Sequence, residues 1–310
     1  LPEFRKIRSK NTNFINLCLD VDLSSEITIQ PIKRFDLDAA IIFSDILLVP
    51  YAMNQEVKFK EDIGPVLSDF SLKKFNLIKT SDFKEKLSPV YKSLNKTRKN
   101  LNSEKSLIAF SGAPWTLLVY MLNLKSSENR LNETFFSKKK LLNQTINKLT
   151  EFICLHLDNQ INAGADIIQI FDSWAGLIPY ESLDEYCIKP NMKIVNYFKK
   201  KGVPVICFPK GLKNNYKKFN DVVSPDGLNI DYEIDPIWAR ENLFNTCLQG
   251  GMHPEILLGD KKVIINEVEK YMKTFKQQPY IFNLGHGILP QTNPEVLQNI
   301  IKKVKSFNDR

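Results

Sequence analysis

The chain has 310 residues, 43% of them hydrophobic and 25% charged, a balance that supplies a packed core and argues against disorder. The net charge of +8 comes mostly from lysines scattered along the chain. They form no single arm or stripe and accompany no nucleic-acid-binding motif, so no nucleic-acid partner is expected.

Five cysteines (Cys18, Cys154, Cys187, Cys207, Cys247) are odd in number and widely spread, and no pair has the two-residue spacing of a zinc or redox site. Reduced thiols in a cytoplasmic protein are expected. No basic-then-apolar start marks a signal peptide. Residues 107–124 carry no charge over nearly the length of a membrane span, but Ser111, Gly112 and Pro114 interrupt them. They read as strand, turn and helix, and no membrane partner is expected.

In chain order, short apolar runs recur, each closing on a polar or glycine-containing turn. They cover residues 39–45 (AAIIFSD), 106–112 (SLIAFSG), 166–173 (DIIQIFDS), 203–211 (VPVICFPKG), 227–231 (GLNID), 245–251 (NTCLQGG) and 280–287 (YIFNLGHG). Such runs suit parallel strands covered on both faces. Between them, residues 142–162 place Leu142, Ile146, Leu149, Phe152, Ile153 and Leu157 on one helical stripe. Asp235-Pro236 predicts a capped helix over 237–244, and Thr292-Asn293-Pro294-Glu295 has capping-box spacing before the last helix.

Strand–helix alternation without a linker or repeat predicts one α/β domain over residues 1–310. An open doubly wound sheet would carry an early GxGxxG turn, which is missing. A (β/α)8 TIM-type barrel needs an eighth strand, expected to lie before Leu1, absent or disordered. Barrel enzymes build their sites at the C-terminal ends of the strands. There the sequence offers Asp45, Ser111, Asp172, Ser173, Lys210, Asp231, Gln249 and His286, although Asp or Ser after a strand often only caps the next helix.

The segments 1–5 (LPEFR), 43–47 (FSDIL), 111–116 (SGAPWT), 171–176 (FDSWAG), 208–211 (FPKG) and 282–290 (FNLGHGILP) resemble the uroporphyrinogen decarboxylase family from the first residue to the last helix. The resemblance implies a barrel enzyme, a homodimer, that converts the four acetate side chains of uroporphyrinogen to methyls without a cofactor or metal. It implies that Asp45 lies beneath the centre of the macrocycle, facing the pyrrole N–H groups, as the catalytic carboxylate. Tyr120 stands for the tyrosine beside the reacting acetate and Phe171 for a wall of the cleft. Ser173 and His286 stand for groups that meet substrate carboxylates. The chemistry suits these residue types: a pyrrole protonated on carbon is its own electron sink, and a fixed carboxylate stabilises the cation so formed.

Two departures stand out. The family carries RQAGRY, with two arginines that grip substrate carboxylates, immediately before the place where Leu1 stands. Residues 249–254 read QGGMHP where the family usually reads QGNLDP, so His253 replaces an aspartate and is expected to weaken a helix cap. The competing readings are a zinc-dependent methyltransferase on a related barrel and a non-catalytic tetrapyrrole-binding relative. The first needs His-x-Cys, whereas this chain has Cys154-Leu155-His156 in reversed order within a helical stripe.

Overall fold

The computed structural model describes residues 1–60, 63–124 and 133–308. Three helices, Pro2–Lys10, Phe14–Leu19 and Val21–Phe35, precede the first strand. Asn13 and Asp20 cap the latter two through their side chains. The strands are β1 (Ala39–Ile41), β2 (Val57–Lys60), β3 (Gly64–Leu67), β4 (Ser106–Gly112) and β5 (Ile167–Asp172), then β6 (Val205–Pro209), β7 (Gly227–Ile230), β8 (Cys247–Gly250) and β9 (Tyr280–Ile281). All but β2 and β3 join one seven-stranded parallel sheet in the order β1-β4-β5-β6-β7-β8-β9, curled as in a TIM barrel. Its members are the seven apolar runs of the sequence. The antiparallel pair β2–β3 is an addition that the pattern did not reveal.

A helix follows each sheet strand, as parallel connections require. The helix Lys139–Asn162 buries all six residues of the expected stripe. Leu149 has no exposed surface, and truncating it to Ala should cost about 2–5 kcal/mol, because the cavity left behind collapses only in part. Asp235 caps the helix Pro236–Asn242, which stops two residues short of the expected end; Oδ1 accepts from Ile237 and Trp238 N–H, both at 2.9 Å. The last helix, Pro294–Asn308, departs from the expected capping box: Asn293 Oδ1 accepts from Glu295 N–H at 2.9 Å, while the Thr292 hydroxyl is buried without a partner. Residues 107–124 form β4, a turn and the helix Pro114–Met121. No helix among the described residues is long and apolar enough to cross a membrane.

The two edges of the sheet, β1 and β9, do not pair with each other. A cavity of about 860 Å³ lies along this seam, lined by Ala39, Ile108, Ile206, Ile281, Leu297 and Ile301 among others. The last helix crosses it: Lys305 Nζ donates to the Asp36 carbonyl at 2.6 Å and meets its carboxylate at 2.7 Å. Arg5 reaches over to the Pro290 carbonyl at 2.6 Å.

Candidate active site

Strand parity decides which strand-end residues face the lumen, because successive side chains point to opposite faces. On β5, Ile168, Ile170 and Asp172 are buried against the surrounding helices. Gln169 and Phe171 turn inward: Gln169 Oε1 accepts from Gln249 at 3.3 Å, and the Phe171 ring meets Phe110 and Phe208 edge-on at 5.7 and 6.5 Å. Ser173 continues the inward set. It is half-buried, and its hydroxyl has no hydrogen-bond partner among the described residues.

Four strand-end residues, outward or inward, are committed to the scaffold. Asp172 accepts from the Thr116 hydroxyl at 2.7 Å and the Asn191 amide at 3.1 Å, and burial pushes its carboxyl up to about 6 against these donors. Ser111 is buried and donates to the Gly112 carbonyl at 3.1 Å. Asp231 is buried with three donors: Gly211 N–H at 2.7 Å, the Tyr216 hydroxyl at 3.0 Å and Glu233 N–H at 3.0 Å. Gln249 is held by Asn229 at 2.6 Å. These four serve structure, which leaves Asp45, Ser173, Lys210 and His286 from the sequence-derived set.

Asp45 follows β1. The chain there is pinned on both sides of Phe43, whose N–H donates to Thr28 at 2.8 Å and whose carbonyl accepts from Ser24 at 2.7 Å. The Asp45 carboxylate accepts from Leu47 N–H at 2.7 Å in a local turn, and it does not cap the helix Leu48–Ala52 that follows. Among the described residues that N–H is the donor that offsets burial, and the carboxyl is pushed up to about 6. The residue as a whole is half-buried while its carboxyl group is enclosed. The enclosure decides the chemistry.

Tyr120 stands in the last turn of Pro114–Met121 with its ring 6.0 Å from Trp174, edge-on. Burial raises its hydroxyl above the usual range, the Trp174 indole N–H draws it down, and the negative charge of Asp45 raises it again. That indole N–H is buried and has no hydrogen bond of normal geometry among the described residues. Trp174 is itself held by its neighbours: its carbonyl accepts from Trp115 Nε1 at 2.9 Å and its N–H donates to Thr116 at 3.1 Å. The sequence reading passed over Trp174 although it lies inside FDSWAG. It also passed over Arg8, which, with Asp45, flanks the buried Cys18 thiol and shifts it in the opposite sense.

His286 sits in the loop after β9. Gly285 donates to the Met252 carbonyl at 2.8 Å and packs so tightly on β7 that a Cβ would fall 2.4 Å from Tyr232 N. A glycine is required there by close approach. Gly287, on the other side of His286, has open space around it. Burial and the positive charge of Lys210 hold the imidazole below its ordinary value, against an opposite pull from Asp231. His286 is therefore neutral at pH 7. His253 keeps the cap expected to weaken: its Nδ1 accepts from Glu255 N–H at 3.2 Å, which puts the ring proton on Nε2, and the ring lies 4.2 Å from that of Tyr232.

The pair named by the zinc reading lies elsewhere. Cys154 and His156 are on Lys139–Asn162, where His156 is buried with Nδ1 3.1 Å from the Tyr91 hydroxyl. The described residues contain no group of three or more His, Cys, Asp or Glu side chains with metal-site geometry.

Comparison with known proteins bears on the fold and the family. The Methanosarcina mazei protein titled "methyltransferase" superposes with a TM-score of 0.82 at 16% identity, covering 96% of this chain and 88% of that one. A B12-independent methionine synthase from Shewanella sp. W3-18-1 gives 0.59 at 10% identity, covering 93% and 86%. At such identities these establish the fold alone. Sequence relatives are more specific. The uroporphyrinogen decarboxylase of Rickettsia bellii is 41% identical over 99% of this chain and 92% of its own length. That of Orientia tsutsugamushi is 41% identical over 99% and 91%. The family described as Uroporphyrinogen decarboxylase (URO-D) matches residues 1–307, and the chain belongs to it.

Proposed function

We propose that this chain is a carboxy-lyase that converts the four acetate side chains of uroporphyrinogen III to methyls, giving coproporphyrinogen III in heme biosynthesis. Family membership supports the substrate class. The observation that carries the mechanism is the enclosed Asp45 carboxylate, offset by a single backbone N–H.

In each turn a pyrrole carbon takes up a proton and the ring becomes cationic. The bond from the methylene to the carboxylate then breaks, CO2 leaves, and the electron pair neutralises the ring. A proton added at the methylene carbon, with loss of the ring proton, leaves a methyl group. One proton is consumed for each CO2 released. Asp45, ionised at pH 7, stabilises the cationic ring and accepts from pyrrole N–H groups. Tyr120 flanks the acetate, Phe171 supplies an apolar wall, and Ser173 and His286 donate to substrate carboxylates. Each residue holds one part of the substrate while the ring supplies the electron sink.

The test is incubation of the purified protein with uroporphyrinogen III under argon, in metal-depleted buffer with and without a chelator. Stepwise products with fewer carboxylates, formed equally in both buffers, are the expected result. No product, or product that returns only with an added metal, overturns the reading. A cytoplasmic homodimer is the expected setting of the active protein, and sedimentation at working concentration tests the assembly.

A further inference from the structure

The rim contributed by β6 to β9 holds a cation to which the family reading gives no role. Lys210 comes directly after β6, and its backbone is fixed on two sides. Its N–H donates to the Asp172 carbonyl at 3.2 Å, and its carbonyl accepts from Gly176 N–H at 2.9 Å. The stem is thus held at the end of the strand, and the half-buried side chain leans across the rim. Nζ lies 6.0 Å from the centroid of Tyr232, the residue on whose backbone Gly285 packs, and its charge is felt at His286. No carboxylate pairs with it among the described residues, whereas Lys305, Lys201 and Lys105 all have acidic partners. The nearby acid Asp231 is already engaged by Gly211, Tyr216 and Glu233. A lysine with no acidic partner among the described residues, near the Tyr232 ring and His286, has room for an anion.

We propose that Lys210, with His286 beside it, holds a side-chain carboxylate of the substrate that is not being removed in that turn. This rests on the decarboxylase reading. The restriction to a spectator carboxylate follows from chemistry: an ammonium on the leaving carboxylate would stabilise the ground state and slow loss of CO2. Lys210 therefore contributes binding that is equal in ground state and transition state, and its loss should appear in KM more than in kcat. His286 donates a neutral hydrogen bond, and Lys210 supplies the charge.

The experiment compares wild type with Lys210→Met, which keeps the stem, and Lys210→Arg, which keeps the charge. Two measurements are made: turnover of uroporphyrinogen, and equilibrium binding of coproporphyrinogen kept reduced under argon. Loss of one charge-assisted hydrogen bond should raise both KM and the product Kd about tenfold in Lys210→Met, with a smaller change in kcat. It should also flatten the salt dependence of kcat/KM, while Lys210→Arg recovers most of the loss. The imidazole of His286, followed by NMR, should titrate at higher pH in Lys210→Met, because a nearby positive charge is gone. A rise in the His286 titration with KM, Kd and salt dependence unchanged overturns the proposal: Lys210 would then neighbour His286 without touching substrate. Wild-type protein that neither binds nor turns over the tetrapyrrole sinks the decarboxylase reading, and this one with it.

Discussion

The two halves of the rim hold their charges in opposite ways. On the β1, β4 and β5 side, Asp172 is engaged by Thr116 and Asn191, whereas the Asp45 carboxyl is pushed up to about 6 with one backbone N–H to offset burial. On the β6 to β9 side the buried carboxylate, Asp231, is saturated with three donors, while a lysine and a neutral histidine are left open. Under the proposed function, the first side meets positive charge that arises during reaction, and the other meets negative charge that the substrate brings with it. A polyanion that becomes transiently cationic at one ring needs both, and needs them apart.

The sharpest way to break this division is Asp45→Asn. The amide oxygen can still accept from Leu47 N–H, so the local turn survives, but the charge is gone and N–H donors face pyrrole donors. Turnover should fall by about 10²–10³, while the thermal midpoint at pH 7 is held or raised because a buried charge is gone. Asp45→Glu should keep more activity than the amide does. A stable and active Asp45→Asn protein would reduce Asp45 to a residue of the local turn.

The opposite half is tested through Gly285. A methyl group there collides with the Tyr232 backbone 2.4 Å away, so the loop carrying His286 must shift. Gly285→Ala should lower kcat/KM about ten- to a hundredfold through misplacement and reduce stability by about 1–3 kcal/mol. Gly287→Ala, with nothing within 4 Å of the added carbon, should differ little from wild type in both. Equal effects at the two glycines would show that His286 is not positioned by that contact.

The smallest expected effect is in pH. With Asp45 raised to about 6 and required in its ionised form, kcat/KM should halve near pH 6 and fall further below it. The residual activity of Asp45→Asn should lack this limb. Stability should move the other way. The folded protein keeps protons on Asp45 and Asp172 that the unfolded chain releases from about pH 4. The contribution of each is therefore greatest below that pH, is lost as pH rises toward 6, and is flat above. Urea titrations at pH 4 and 7 on wild type and Asp45→Asn check the sign.

How legible this was depends on what each element is made of. The seven sheet strands announced themselves because both faces are covered, so Val205–Pro209 reads as an unbroken apolar run and Ile167–Phe171 is broken only by Gln169. The pair β2–β3 did not, because Lys58 and Lys60 point outward and Gly64 and Pro65 break any run. Pro31 and Pro89 hid the helices Val21–Phe35 and Thr80–Asn100, where tertiary packing overrides the local cost of proline. Composition alone could not separate Asp45 from Asp172 or Asp231. All three end strands, and only parity and hydrogen-bond partners show which are spent on the scaffold. Family motifs supplied Tyr120, Phe171, Ser173 and His286. Lys210 sat unassigned in FPKG, since a lysine without an ion partner can be recognised only once its surroundings are known.

The seam between β1 and β9 has a mechanical side. In a closed hoop of strands the circumference is fixed by the count of ladders, each about 4.8 Å wide. Here the two candidate residues of opposite character, Asp45 and His286, follow β1 and β9, the first and last strands of the described sheet. A disturbance between β5 and β6 has continuous ladders on either side to absorb it before it reaches either residue.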